Sequence, residues 1–215
     1  GSLVYANTLP VPAKAFFESG SWAGLADWEQ ELQPFYQTAL RMLGASPNPK
    51  FFDGEHALKS LAQEATPGAE PAPTHVAVYF GPEGEETPDP YFEGQGPARS
   101  GCTFCGACMT GCRHNAKNTL EKNYLYLAQQ LGAEILAEQE VVAVEPVGSP
   151  DGSQGYEVTI RPSTTWLKPK TKLQAKGVIF AGGVLGTLNL LLQLKRGALP
   201  NLSPLVGQQV RTNNE

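Results

Sequence analysis

Apolar residues recur at helical spacing in several stretches of the chain. Leu25, Trp28 and Leu32 form one series, and Phe35, Ala39 and Leu43 continue it. Pro34 falls between them, so the pattern predicts two short helices. The second would carry Pro34 in its first turn, where a missing N–H is harmless, and would stop at Gly44. A helix is predicted over 54–65 with Leu58, Leu61 and Ala62 on one face. Another carries Leu120, Tyr124, Leu127 and Leu131 and ends at Gly132. Alternation predicts strands at Val76, Val78 and Phe80, over 135–144, at Tyr156, Val158 and Ile160, and more weakly over 166–173. Asp151 and Gly152 supply a turn between two of them. The apolar run 178–181, then Gly182 and Gly183, then a leucine-rich stretch to about Leu194, reads as strand, tight turn and helix. Residues 1–24, 66–73 and 81–101 read as irregular. The sum is a mixed α/β (α+β) fold with a β-meander. Phe16, Phe17, Trp22, Trp28, Phe51 and Phe52 are expected to be core.

The composition narrows the function classes. Hydrophobic residues make up 41% of the 215, enough for a packed core rather than wholesale disorder. A formal net charge of −5 argues against a nucleic-acid partner, and Lys168, Lys170, Lys172 and Lys176 read as a solvated strand face. The longest apolar stretch, 184–194, is broken by Gly186, Thr187 and Asn189 and is too short to span a bilayer. No signal peptide is visible at the start, where Gly1 and Ser2 resemble a cloning scar.

The four cysteines stand together at 102, 105, 108 and 112, in a C-x2-C-x2-C-x3-C run. Disulfides that stabilise a chain of this size would be spread to close long loops, so the clustering points to metal or redox chemistry in a reducing, cytoplasmic compartment. Thiolate is the soft ligand of iron–sulfur clusters, and the spacing matches the bacterial ferredoxin run. Gly106, Ala107 and Gly111 let the backbone wrap closely. Arg113 stands where the ferredoxin run has proline. Either Cys112 closes a single [4Fe–4S] site, or three cysteines hold a cluster whose last corner is vacant or filled by another ligand such as His114. Zinc is the main rival, and plain structural thiols or local disulfides the third reading.

Ala181, Gly183 and Gly186 have the spacing of a degenerate dinucleotide fingerprint, though packing alone explains many such turns, and no acidic residue follows at the usual distance. His56 and His75 have no chemical neighbourhood. Lys117 could hold a flavin or substrate anion, but reads more simply as an exposed first-turn residue. No nucleophile elbow exists, so hydrolase chemistry has no support.

Taken in order, these segments resemble the glucose–methanol–choline (GMC) FAD-dependent oxidoreductases, in their cholesterol-oxidase-like branch. Residues 1–7 resemble the segment after the family's glycine-rich turn beside the isoalloxazine. Residues 113–125 resemble the helix entry into the FAD domain, 140–144 an adenine-contacting strand, and 180–187 with 199–203 the next strand–turn–helix and its exit. The resemblance implies an internal fragment: a flavin-proximal segment (1–9), a partial substrate-binding domain (10–100), the cysteine motif (101–113) and a second part of the FAD domain (114–215). It implies FAD near Gly1, Ser2, Tyr5, Ala6 and Asn7, at the Val141 backbone, and at Ala181 and Gly182. Cys102, Cys105, Cys108 and Cys112 are the candidate metal ligands. It places the catalytic histidine after Glu215 and the main glycine fingerprint before Gly1, so no catalytic residue is assigned within the chain. The implied partners are a small-molecule alcohol, sterol-like or sugar-like, an electron acceptor and the remainder of the polypeptide. The cysteines depart from ordinary members and resemble those flavin dehydrogenases of the family that relay electrons through an iron–sulfur centre. An independent iron–sulfur or zinc-binding module is the competing reading.

Overall fold

The computed structural model describes residue 6 and residues 8–210; Gly1, Ser2, Tyr5 and Asn7 lie outside the described residues. The chain forms two compact units, one reaching to Glu134 and one from Ile135 onward.

In the first unit, a short helix α1 (Lys14–Phe17) precedes α2 (Trp28–Met42). The Asp27 side chain caps α2 by accepting the Gln30 N–H, and Glu29 and Glu31 favour the positive end of its dipole. The expected break at Pro34 does not occur, because Pro34 lies inside one continuous helix of 15 residues. A proline removes a single i→i−4 bond, and the bonded turns on either side carry the helix past it. The helix does stop where expected. Gly44 takes a left-handed φ of 58°, and the Ala45 N–H turns back onto the Leu40 carbonyl at 2.9 Å.

Strand β1 (Ser46–Pro47) pairs antiparallel with β2 (His75–Val76), and α3 (Asp53–Ala65) lies between them in sequence. The Glu55 carboxylate accepts the Phe52 N–H at 3.0 Å and starts α3. The apolar face expected on this helix is solvent-exposed, with Leu58 at 65% and Leu61 at 61%. The aromatic core also needs correction. Only Phe17 is buried and Trp28 half-buried, while Phe16, Trp22, Phe51 and Phe52 are exposed. Neither α2 nor α3 buries a residue, so the rings near them pack on one another at the surface, as Phe16 does on Trp22.

The core of this unit lies instead in extended backbone. Val76, Val78 and Ala116 are buried together, with Phe80, Cys102 and Cys112 packed against them. The strand expected at 76–80 is laddered only at its start. Beyond it, Val78 bridges Lys117, the Tyr79 N–H bonds the Ala116 carbonyl, and the Asn118 N–H bonds the Ala77 carbonyl, each of those bonds at 2.8 Å. The glycine- and proline-rich loop 81–101 is ordered by β3 (Glu86–Thr87) pairing with β4 (Arg99–Ser100). Asp89 also anchors it, accepting N–H groups from Tyr91, Phe92, Gly94 and Gly96. The helix expected over 120–131 is split. A 3-10 turn covers Leu120–Lys122, Asn123 breaks the spiral, and α4 spans Tyr124–Gln130.

The second unit is built on a three-stranded antiparallel meander, β5 (Gln139–Pro146), β6 (Tyr156–Pro162) and β7 (Thr171–Ala175), followed by α5 (Val184–Lys195). The expected meander is present with shifted ends: β5 starts at Gln139, and residues 163–170, with Trp166 fully exposed, form a connection rather than strand. Residues 178–181 carry no strand pairing among the described residues. No described helix is long and apolar enough to cross a membrane. The architecture is mixed α/β.

Candidate functional site: a thiol-lined cavity and a glycine-turn cavity

Backbone clamps set the cysteine loop on the first unit's core. The Cys102 N–H donates to the Tyr79 carbonyl at 2.9 Å, tying the start of the loop to the extended segment. At its far end, the Ala116 N–H donates to the Cys112 Sγ at 3.3 Å, and the Phe104 N–H to the Cys102 Sγ at 3.4 Å. The Lys117 ammonium reaches the Cys108 carbonyl at 3.0 Å, and Lys122 reaches the Lys117 carbonyl at 3.1 Å. Lys117 is therefore half-buried and engaged, not the exposed first-turn residue expected from sequence.

Behind the loop lies Arg99, a residue with no sequence signature. It is wholly buried, and its guanidinium donates to the Asn118 side chain at 2.7 Å and to the carbonyls of Pro97 (2.7 Å), Ala98 (3.2 Å) and Lys122 (2.7 Å). One side chain thus ties the segment before the cysteines to the segment after them.

All four cysteines line a single cavity of about 170 Å³, together with Val76, Val78 and His114. All four are free thiols in this structure. An aromatic group borders the cavity: Phe80 stacks on Phe104 with centroids 5.6 Å apart, and the Lys50 ammonium lies 3.7 Å from the Phe104 centroid. Burial pushes the Cys102 and Cys108 thiols up, and the neighbouring cysteines push them further. Burial also pushes Cys112 up, but N–H groups of Lys117, Ala116 and His114 outweigh it and leave that thiol lowered. Burial therefore disfavours the thiolate form of Cys102 and Cys108, and a cation beside them would offset it.

Among the described residues, no three His, Cys, Asp or Glu side chains converge on a single-ion site. A zinc ion bonds sulfur at about 2.3 Å, which would draw four sulfurs to within roughly 4 Å of one another. The four cysteines line one cavity.

The second cavity belongs to the other unit. It measures about 650 Å³ and is lined by Val141, Ala181 and Gly182 with Glu140, Arg161 and Thr187 among others. A β-bulge shapes it. Val141 faces Ile160 and Ala143 faces Thr159, so Val142 is the extra residue, and both Val141 and Val142 line the cavity, which strict alternation would forbid. Gly183 caps α5 at φ 80°, a conformation that favours glycine, and the Gly182 N–H donates to the Thr187 hydroxyl at 3.1 Å. The Glu140 carboxylate pairs with Arg161 at 2.8 Å. The structure thus brings Val141, Ala181 and Gly182 together, while Ala6 is an exposed bend residue of the other unit. The bulge, like Arg99, had no visible sequence signal.

Comparison with known proteins gives this arrangement a class. The GMC oxidoreductase family profile matches residues 97–213, and the chain belongs to that family. Among its relatives, the "Cholesterol oxidase" of Acinetobacter baumannii is 49% identical over 222 aligned residues, covering 100% of this chain and 40% of that protein. The "Cholesterol oxidase" of Mycobacterium tuberculosis (strain CDC 1551 / Oshkosh) is 46% identical, covering 100% of this chain and 38% of that protein. The chain therefore spans about 40% of the length of the curated relatives it matches. No solved structure matches it.

Proposed function

We propose that this chain contributes to an FAD-dependent oxidoreductase acting on the CH–OH group of a sterol-like or sugar-like alcohol, and that its four cysteines hold an iron–sulfur cluster. The observation that carries the flavin reading is the 650 Å³ cavity in a chain of this family, where Val141, Ala181 and Gly182 meet. That volume falls in the range of about 300–1,000 Å³ usual for organic ligands, whereas the thiol-lined cavity does not. FAD would supply a hydride acceptor and the cluster a one-electron acceptor. The chain's own residues would do the binding. The bulged strand and the glycine turn leave room for an adenine-bearing group, and residues 10–100 would form part of the substrate-binding side.

The cysteine cavity fits an iron–sulfur group on its donor set. Four soft thiols line one mostly apolar space, and two of their sulfurs already accept backbone N–H bonds. The grouping of free thiols also fits a reducing cytoplasm.

The test is anaerobic expression of the full-length natural protein, followed by flavin, iron, acid-labile sulfide and zinc analysis. Flavin together with iron and sulfide is expected. Zinc alone would overturn the cluster. Iron and sulfide without flavin would overturn the flavoenzyme reading and favour a separate electron-transfer module.

A further inference from the structure

We propose that the four cysteines are unequal, and that Cys105 is the exchangeable corner at which an oxidant releases iron; this rests on the cluster reading above. The sequence places the ambiguity on the fourth cysteine, Cys112. The structure moves it to the second. Cys102 and Cys112 are half-buried against the Val76, Val78 and Ala116 core, and each sulfur accepts a backbone N–H. Cys108 is half-buried too, and the Lys117 ammonium fixes its carbonyl. Cys105 alone of the four is exposed.

Its exposure is built in. Phe104 and Gly106, on either side of it, both take left-handed backbone, with φ of 55° and 71°. A phenylalanine there is strained by about 1–3 kcal/mol and persists only when its surroundings hold it. Phe80, Phe52 and the Lys50 ammonium all pack against the Phe104 ring. The backbone therefore turns outward at Cys105 and is held there.

Buried, hydrogen-bonded thiolates keep their iron, because donated N–H groups favour the charged sulfur and burial excludes competing ligands. An exposed thiolate–iron bond meets water, protons and oxidants directly. A cluster that gives one electron to a one-electron oxidant can then release one ferrous ion. The bond broken is the one to the Cys105 sulfur, which takes a proton and becomes a free thiol. The core charge falls by one, the balance of a doubly charged ion lost and one electron removed. The remaining iron and all the sulfide stay on Cys102, Cys108 and Cys112. Such a site would register oxidising conditions reversibly, since ferrous iron and a reductant restore it.

The experiment uses the full-length natural protein, purified without oxygen and with its iron and sulfide measured. It is titrated with ferricyanide in the presence of iodoacetamide, and alkylation is mapped by mass spectrometry. Cys105 is expected to be alkylated at least about tenfold faster than the other three. A three-iron signal should appear in electron paramagnetic resonance while sulfide is retained. Cys105→Ser should show that signal as isolated, and Cys112→Ser should lose iron and sulfide. Equal alkylation of all four cysteines, or earlier alkylation of Cys108 or Cys112, overturns the proposal, and this readout needs no variant to fold. Absence of iron and sulfide before any oxidant is added overturns the cluster reading instead.

Discussion

The two cavities differ in how the chain supports them. The thiol-lined cavity rests on residues that are themselves buried: Val76, Val78, Ala116 and, behind them, Arg99 and Asn118. The glycine-turn cavity has one buried wall, at Val144, but its glycine-turn side is left in solvent. Ile179 is 91% exposed, and Ala181, Gly182 and Gly183 are exposed as well. The contrast teaches that the cysteine loop is a locally finished structure, whereas the glycine turn has a shape without a supporting layer. Substitutions behind the first should therefore be costly and those beside the second mild.

The sharpest way to break that contrast is Arg99→Met. It would leave the Asn118 amide and the carbonyls of Pro97, Ala98 and Lys122 without their donor in a buried setting. A buried polar group left unpaired costs about 1–3 kcal/mol, and because the three carbonyls are only partly buried and can turn to water, a total loss of roughly 3–5 kcal/mol is expected. Hydrogen–deuterium exchange on the intact protein should show protection lost across 97–123 and preserved in the meander. Uniform loss in both units, or none, would show that the cysteine loop is not held from behind.

These differences also explain what could be read from sequence. The meander was legible because Tyr156, Val158 and Ile160 alternate with polar residues along the sequence, although burial in the strand does not follow that period: Thr159 is buried beside Ile160. The cysteine run was legible because ligand spacing is a local property. Pro34 misled because a local rule predicts a break, while the cap at Asp27 and the turns on either side outweigh one missing bond. Leu58 and Leu61 misled because periodicity shows that a face exists, not that anything covers it. Arg99 was invisible for a deeper reason: its partners are mostly carbonyls, which every residue carries, so nothing in the identities of residues 97, 98 and 122 marks them as ligands.

A smaller effect should appear in acid. The Asp89 carboxyl is pushed up by burial, but the N–H groups of Gly96, Tyr91, Phe92 and Gly94 outweigh that and hold it below the usual carboxylate range. A lowered carboxyl contributes stability that is present above the ordinary carboxylate range and lost as pH falls through the lowered value. Loop 81–101 should therefore loosen only in strong acid, before the meander does. In Asp89→Asn the exchange protection of Tyr91, Phe92, Gly94 and Gly96 should fall already at neutral pH and should no longer depend on acid. Because the carboxylate is partly solvated, the expected change is about 1 kcal/mol or less. Unchanged acid sensitivity in the variant would show that another group anchors the loop.

The mildest change tests the unfinished cavity itself. Thr187→Val keeps the shape of the side chain and removes the hydroxyl that accepts the Gly182 N–H. Because Gly182 is exposed, water replaces the lost acceptor, and the unfolding midpoint should move by no more than about 0.5 kcal/mol in free energy. The glycine turn itself should survive, since the Gly183 conformation and the Thr187 N–H bond to the Gly183 carbonyl at 3.0 Å do not involve the hydroxyl. Exchange protection of Gly182 alone should fall. A destabilisation as large as that of Arg99→Met would mean that the turn is as tightly supported as the cysteine loop, and the contrast between the two cavities would be lost.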